Sequence, residues 1–369
     1  VKTSRYVILI QALSAQREVE GTPMSSHENP PAQAAGSSRS ALRTGVSRGS
    51  VFFSNEFGLL LLIAIFLVVF GFTTSGFLGP FNLFTMGRNA AVNIMIGLSM
   101  MTVIVTGGLS LAVGAIGVCA AMFTGYTLEI LNLPWPLALA CGIGLGAALG
   151  FVNGFTVVRT GLHSFIITLA TMSIFFGAMV FLTRAEAYRK LPPAFAAFGK
   201  MKLFNYVSPL LLFTVLVALA LIWLYHRSVL GREMLAAGAR PEAAELSGVN
   251  VGRMIVLCHM LSGALAGIAA LMLVSRNGAA IPSMAGQLGQ DWLLPAFLGP
   301  VLGGTLLNGG KAPVVGTCLG ATLVTLLTGG LLLLEIGEFW VQSFLGLLLL
   351  VAVFMDKARR SYLTYRNLA

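Results

Sequence analysis

Apolar runs of about 20 residues recur along this chain from Gly58 onward, the length an α-helix needs to cross a bilayer core of roughly 30 Å. Such segments must satisfy their backbone internally, so the chain folds as a bundle of helices. The runs fall at 58–78, 84–107, 110–131, 135–157, 164–183, 206–225, 254–274, 292–308, 313–334 and 339–356. They predict an all-α, polytopic membrane protein with about ten transmembrane helices. The second and third runs almost fuse, which leaves a nine-span count open. The eighth holds Pro295 and Pro300 and reads as a re-entrant or discontinuous helix. Composition points the same way. Charged residues are 10% of the chain, hydrophobic residues 57%, and the mean hydropathy is +0.88. A soluble domain carries about 25% charge, so soluble enzymes, nucleic-acid binders and secreted disulfide scaffolds are excluded.

Charge placement orients the chain. Ten spans put both termini on one side. The other side then holds Arg88, Arg184, Arg189, Lys190, Lys200, Lys202 and Arg276, and the remaining basic residues of the 23 lie with the termini. That bias predicts cytoplasmic N and C termini. The loop 184–205 runs against it, with five basic residues on the outer side. Residues 1–54, rich in Ser, Ala, Pro and Gly from Gly21 to Ser50, read as a disordered cytoplasmic tail without a signal peptide. Residues 55–358 form the membrane domain, and 359–369 a cytoplasmic C-terminal tail.

Little in the spans suggests covalent chemistry. Glu129, Asp291, Glu335, Glu338 and Asp356 all fall near span ends, which weakens an ion-coupled carrier. Gly309-Gly310-Lys311-Ala312 lacks the spacing and hydroxyl of a P-loop, so ATP hydrolysis is not expected in this chain. The histidines are scattered, and Cys119, Cys141, Cys258 and Cys318 sit singly within apolar runs. We expect no catalytic residues, no metal site and no cofactor here.

What the spans do carry is small residues in register. Gly142, Gly146, Gly150 and Gly154 recur every four residues, forming one stripe that lets a neighbouring helix approach closely. Gly263 with Gly267, and Gly316 with Gly320, repeat the pattern. Thr106-Gly107-Gly108-Leu109-Ser110 breaks an apolar run, and Leu302-Gly303-Gly304-Thr305 breaks another. Breaks of this kind are tolerated where they are packed in protein or line a cavity. Paired breaks in two halves point to a solute path. Asn93, Ser99, Thr102, Asn153, Thr168, Thr171 and Ser173 are polar residues inside spans, suited to interhelical hydrogen bonds or to that path.

The loop 227–253 differs from the spans. Pro241 suits the first turn of a helix and Glu242 its positive end; Ala243, Ala244 and Leu246 continue it with a small-residue face, and Gly248 suits its stop. A short helix of this kind fits a partner's groove.

Together these segments resemble the permease subunits of bacterial ABC importers of the ribose/xylose type, in the superfamily that includes branched-chain amino acid permeases. The resemblance covers about 55–358. It rests on Thr106–Gly114, Gly150–Gly154, Phe165–Met172, Gly231–Asn250, Leu261-Ser262-Gly263, Ser275-Arg276 and Leu302-Gly303-Gly304. Departures are Ser110 where the family usually has Asp, Ala112 where it has Ser, and Arg240 for a common Asn.

The resemblance implies two inverted-repeat halves with broken helices near the centre, in a bacterial inner membrane. It implies a partner ATPase that binds ATP and Mg, a periplasmic or lipid-anchored solute-binding protein, and a second permease chain, with no nucleic acid. By this carry-over Gly231, Arg232, Gly238, Glu242, Ala243, Ala244 and Gly248 are the ATPase-coupling residues. Asn93, Thr106, Gly107, Gly108, Ser110, Asn153, Thr171, Gly303 and Gly304 lie along the translocation path. The expected cargo is a ribose- or xylose-like sugar or polyol. An amino acid, a furanosyl signalling molecule, or an ion-coupled carrier mechanism are the alternatives.

Overall fold

The computed structural model describes residues 55–74, 76–202 and 207–368, and the side chains within them except at 55, 338 and 355–368. The tail assigned to 1–54 lies outside the described residues. Among the described residues thirteen α-helices follow in order: α1 Asn55–Thr73, α2 Pro80–Ile104, α3 Val113–Glu129, α4 Trp135–Thr160, α5 Ser164–Thr183, α6 Pro193–Lys200, α7 Pro209–Arg227, α8 Val229–Ala239, α9 Pro241–Leu246, α10 Val251–Asn277, α11 Leu293–Leu302, α12 Val314–Leu333 and α13 Glu338–Leu368. The architecture is all-α, and α1, α4, α5, α7, α10 and α12 are each long and apolar enough to cross a membrane.

Local sequence explains many of the boundaries. Pro80, Pro193, Pro209 and Pro241 open their helices at the first position, where the missing N–H costs nothing. Gly161 and Gly278 close α4 and α10 in the left-handed conformation. Helices α2, α3 and α10 supply much of the buried core, including Met95, Met100, Met101, Ile104, Met122, Leu265 and Ala266. Phe181, Leu182 and Trp223 stay exposed on α5 and α7, as side chains facing lipid do.

Several expected boundaries are corrected. The run at 110–131 yields α3 of only 17 residues, because 106–112 is unwound rather than fused to α2. The run at 292–308 contains a helix of 10 residues. Before it lies a 3₁₀ turn, Gln287–Trp292, kinked at Leu288 (φ 57°) and Gly289 (φ 77°); after it Gly304 turns left-handed at φ 84°. This segment is therefore discontinuous. The loop at 184–205 contains α6, and 227–253 contains two helices rather than one. The last helix runs on through the expected C-terminal tail to Leu368.

Close helix packing uses the glycine stripes. Along α4, a Cβ on Gly146 or Gly150 would meet the backbone carbonyl of Gly263 or His259 on α10, and one on Gly154 would lie 2.8 Å from the Val256 Cα. Gly142 faces the Thr124 hydroxyl of α3. On the other side of α2, Gly316 and Gly320 of α12 meet the carbonyls of Gly303 and Gly299.

Candidate functional site: coupling arm and broken helices

The arm from Ser228 to Asn250 is built by a chain of caps. Ser228 stops α7 in an extended conformation, donates to the Leu224 carbonyl at 2.6 Å, and accepts the Gly231 N–H at 2.9 Å to start α8. Gly231 is buried there, with Leu224 O and Tyr225 Cα where a Cβ would stand. Arg240 is extended, the conformation a following proline favours. Pro241 then opens α9. At its end the Gly248 N–H reaches Glu245 O (2.9 Å) and the Val249 N–H reaches Ala244 O (3.0 Å), with Gly248 at φ 85°. This is a Schellman stop, the role glycine fills without strain. Asn250 accepts the Arg253 N–H at 2.9 Å and opens α10.

The residues expected on one docking face divide into two sets. Arg232, Glu242, Ala243 and Gly248 are exposed, whereas Gly231, Gly238 and Ala244 are buried. Ala244 therefore does not share a face with Ala243 and Leu246, because α9 turns it inward toward the body. Leu246, expected within a small-residue face, is instead the large apolar side chain that the arm leaves exposed. It is 92% exposed at the tip of α9, an apolar side chain held out by a rigid turn.

Gly238 joins the arm to the body. A Cβ there would strike the Val105 carbonyl, which already accepts the Gly310 N–H at 2.8 Å. Gly309 (φ 87°) packs against Gly107 N and Gly238 O, and Gly310 (φ 81°) against Ala239 Cα. The end of α2, the end of α8 and the loop after α11 thus meet backbone to backbone. Gly309 and Gly310 were read only as a failed P-loop, since their neighbours lie far away in sequence.

The break after α2 is satisfied by α5. The Leu109 N–H donates to Ser164 Oγ at 2.8 Å and the Leu111 N–H to Thr168 Oγ1 at 3.1 Å. Ser110 is buried. The loop that follows the second broken segment meets the first, with Gly309 against Gly107 N and Asn308 O 3.4 Å from where a Cβ on Gly107 would stand, while the Gly289 kink packs on the first turn of α3 at Gly114. Both interruptions are therefore in contact, and both meet the arm at Gly238.

Comparison with known proteins identifies the family to which this arrangement belongs. A family model described as branched-chain amino acid transport system, permease component, matches residues 82–353. The chain belongs to that family. It is 32% identical over 308 residues to the ribose import permease RbsC of Bacillus subtilis (strain 168), covering 82% of this chain and 93% of that one. It is 31% identical over 306 residues to the fructose import permease FrcC of Rhizobium meliloti, covering 81% and 84%. It is 31% identical over 310 residues to the autoinducer 2 import permease LsrD of Photorhabdus laumondii, covering 81% and 90%. No solved structure matches. The chain is a permease-type subunit of an ABC transporter and a multi-pass membrane protein, not an enzyme.

Within the permease, the residues expected along a path fall in different settings. The Asn93 amide donates to Thr325 Oγ1 at 2.9 Å and ties α2 to α12. Thr171 donates to Thr168 O at 3.3 Å, and Thr106 to Val103 O at 3.0 Å. Gly303 is buried against α12 and Gly304 turns the chain beyond it. Asn153 is different: both its amide atoms are buried without a partner, as is His259 Nε2. Thr106, Gly107 and Gly108 border a cavity of about 390 Å³ that reaches Ser164, Glu245 and His259, under the arm. Among the described residues, no group of three or more His, Cys, Asp or Glu is placed to hold a metal.

Proposed function

We propose that this permease carries a monosaccharide or a close furanosyl relative across the inner membrane, driven by a separate ATPase. The curated relatives are named for ribose, fructose and autoinducer 2. The observation that carries the reading is the arm: α9 projects Leu246 while Gly238 fixes its base to both broken segments. A motion imposed on α9 by a docked partner reaches Val105, Gly107 and Gly310 through backbone contacts, with no compressible side chain between. In this reading Arg232, Glu242, Ala243, Leu246 and Gly248 face the ATPase, and Gly231, Gly238 and Ala244 transmit.

The spare hydrogen-bonding capacity of Asn153 and His259 suits a second state in which α4 and α10 admit a hydrated solute. α2, α3, the Gln287–Leu302 segment and α13 complete ten crossings in two halves. The chain then enters and leaves on the arm side, which is the cytoplasm. A second permease chain completes the path, and a binding protein delivers solute at the opposite face.

The test is purification of the tagged chain with candidate ATPase and binding-protein partners in mild detergent. Formation of a stable complex whose hydrolysis rises with sugar-loaded binding protein is the expected result. A chain that purifies alone and drives ion-dependent uptake in vesicles would overturn the reading.

A further inference from the structure

Between the arm and the body lies the cavity of about 390 Å³, walled by the break after α2, the end of α4, the start of α5, the arm helix α9 and the first turns of α10. Its size is that of a small-molecule pocket, about 300–1,000 Å³. Two of its polar groups converge where Gly108 has no side chain. A Cβ there would lie 3.2 Å from Ser164 Oγ and 3.5 Å from His259 Cε1.

Protein partners fix the hydrogen-bonding role of each group. His259 is 2% exposed, and its Nδ1 lies 3.0 Å from Ile255 O. A carbonyl only accepts, so Nδ1 carries the hydrogen of the neutral ring and Nε2 keeps a lone pair. That Nε2 is buried with no partner. Buried polar atoms are nearly always paired, so a bare acceptor at a cavity wall marks a place for a donor. Ser164 Oγ accepts the Leu109 N–H at 2.8 Å and keeps its own O–H to donate. His163 accepts the Phe165 N–H on Nδ1 at 3.2 Å, so its Nε2 carries a hydrogen. Glu245 of α9 lines the cavity with a carboxylate, which only accepts.

The cavity thus offers two acceptors, Glu245 and His259, and two donors, Ser164 and His163. Among the described residues no Lys or Arg lines it, so nothing balances a phosphate or a carboxylate. An amine would leave the donors idle. A neutral molecule whose hydroxyls each give and take a hydrogen bond satisfies both sets. In the importer reading the arm side is the cytoplasm, where the carried sugar is released. We propose that this cavity is a cytoplasmic site for the released monosaccharide, which bridges Glu245 of the arm to Ser164 and His259 of the body and slows further import. This rests on the importer reading. A ligand that fits one position of the arm shifts the cycle toward that state by its preference for it.

The test uses proteoliposomes that hold the assembled transporter with its ATPase outward and enclose sugar-loaded binding protein. D-Ribose or D-fructose added outside then meets only the cytoplasmic face. At about 20 mM one of the two is expected to slow ATP hydrolysis about threefold or more. Glycine betaine, an osmolyte without hydroxyls, is expected to leave it unchanged at the same concentration. Glu245→Ala and His259→Phe are each expected to raise the half-inhibitory sugar concentration about tenfold. Glu245 is exposed, so its variant reads the site even where His259→Phe fails to insert. Labelled D-ribose and D-fructose dialysed against the complex in nanodiscs, with no binding protein present, are expected to bind the wild type and to be lost from both variants. Hydrolysis and dialysis indifferent to both sugars would overturn the proposal, and so would inhibition that survives both substitutions. Hydrolysis that ignores the enclosed binding protein would instead sink the importer reading, and the dialysis would still report on the cavity.

Discussion

The α4–α10 seam and the junction beneath the arm are both made of glycine, and they use it for opposite ends. In the seam, Gly146, Gly150 and Gly154 lie within regular helices with ordinary helical backbone, and their missing side chains let two long helices meet. In the junction, Gly107, Gly309 and Gly310 have φ of 78–87°, where L side chains are strained, and they join pieces of broken chain. The seam is a close-packed pair. The junction is where the backbone can change direction and where the arm is attached. One fold thus uses glycine in a close-packed seam and in a junction of broken chain, distinguished by backbone conformation rather than by residue type.

Breaking the seam should have the largest effect. Gly150→Val puts side-chain atoms into the His259 carbonyl, and we expect a loss at or beyond the top of the roughly 1–3 kcal/mol typical of overpacking. Thermal unfolding in detergent and membrane yield would show it. Gly238→Val strikes the junction instead. It should leave the chain inserted and the seam intact, yet reduce uptake at least about tenfold while ATPase still co-purifies, because the base of the arm is displaced from Val105. A variant with normal uptake would remove the junction from the mechanism.

Smaller changes sharpen the contrast. Ser164→Ala with Thr168→Val strips the acceptors from the Leu109 and Leu111 N–H groups. Leaving part-buried donors unpaired costs up to about 1–3 kcal/mol each, so the unfolding temperature should fall and uptake with it. Gly248→Ala has open space for its Cβ and pays only for the left-handed backbone, about 1–2 kcal/mol, felt locally in α9. Gly144→Ala is the control: it lies on α4 between seam glycines, nothing is within 4 Å of its Cβ, and stability should be unchanged or slightly raised.

Much of this was legible in the sequence. Period-four glycines announced the seam, since only close helix approach requires them. Pro241, Glu242 and Gly248 marked both ends of α9, because capping is local chemistry. Distant pairings were less legible. Nothing near Gly309 or Gly310 says that they meet Val105 and Gly107, some 200 residues earlier, and Ser164 looks like an ordinary helix start until it accepts the Leu109 N–H. Helix α8 was missed because Gly231 and Gly238 lower its propensity, and tertiary contacts at those two glycines override that. Leu246 was counted as part of a small-residue face, since six residues are too few to fix which side of a helix faces out.

Cross-linking from Leu246→Cys measures the central claim most directly. The variant chain is purified with its ATPase and treated with a short thiol-reactive cross-linker, with and without ATP. The account predicts a product joining α9 to the ATPase, formed in the assembled complex and changed in yield by nucleotide. A complex that hydrolyses ATP and transports solute, yet gives no such product from Leu246→Cys or from Ala243→Cys, would contradict it.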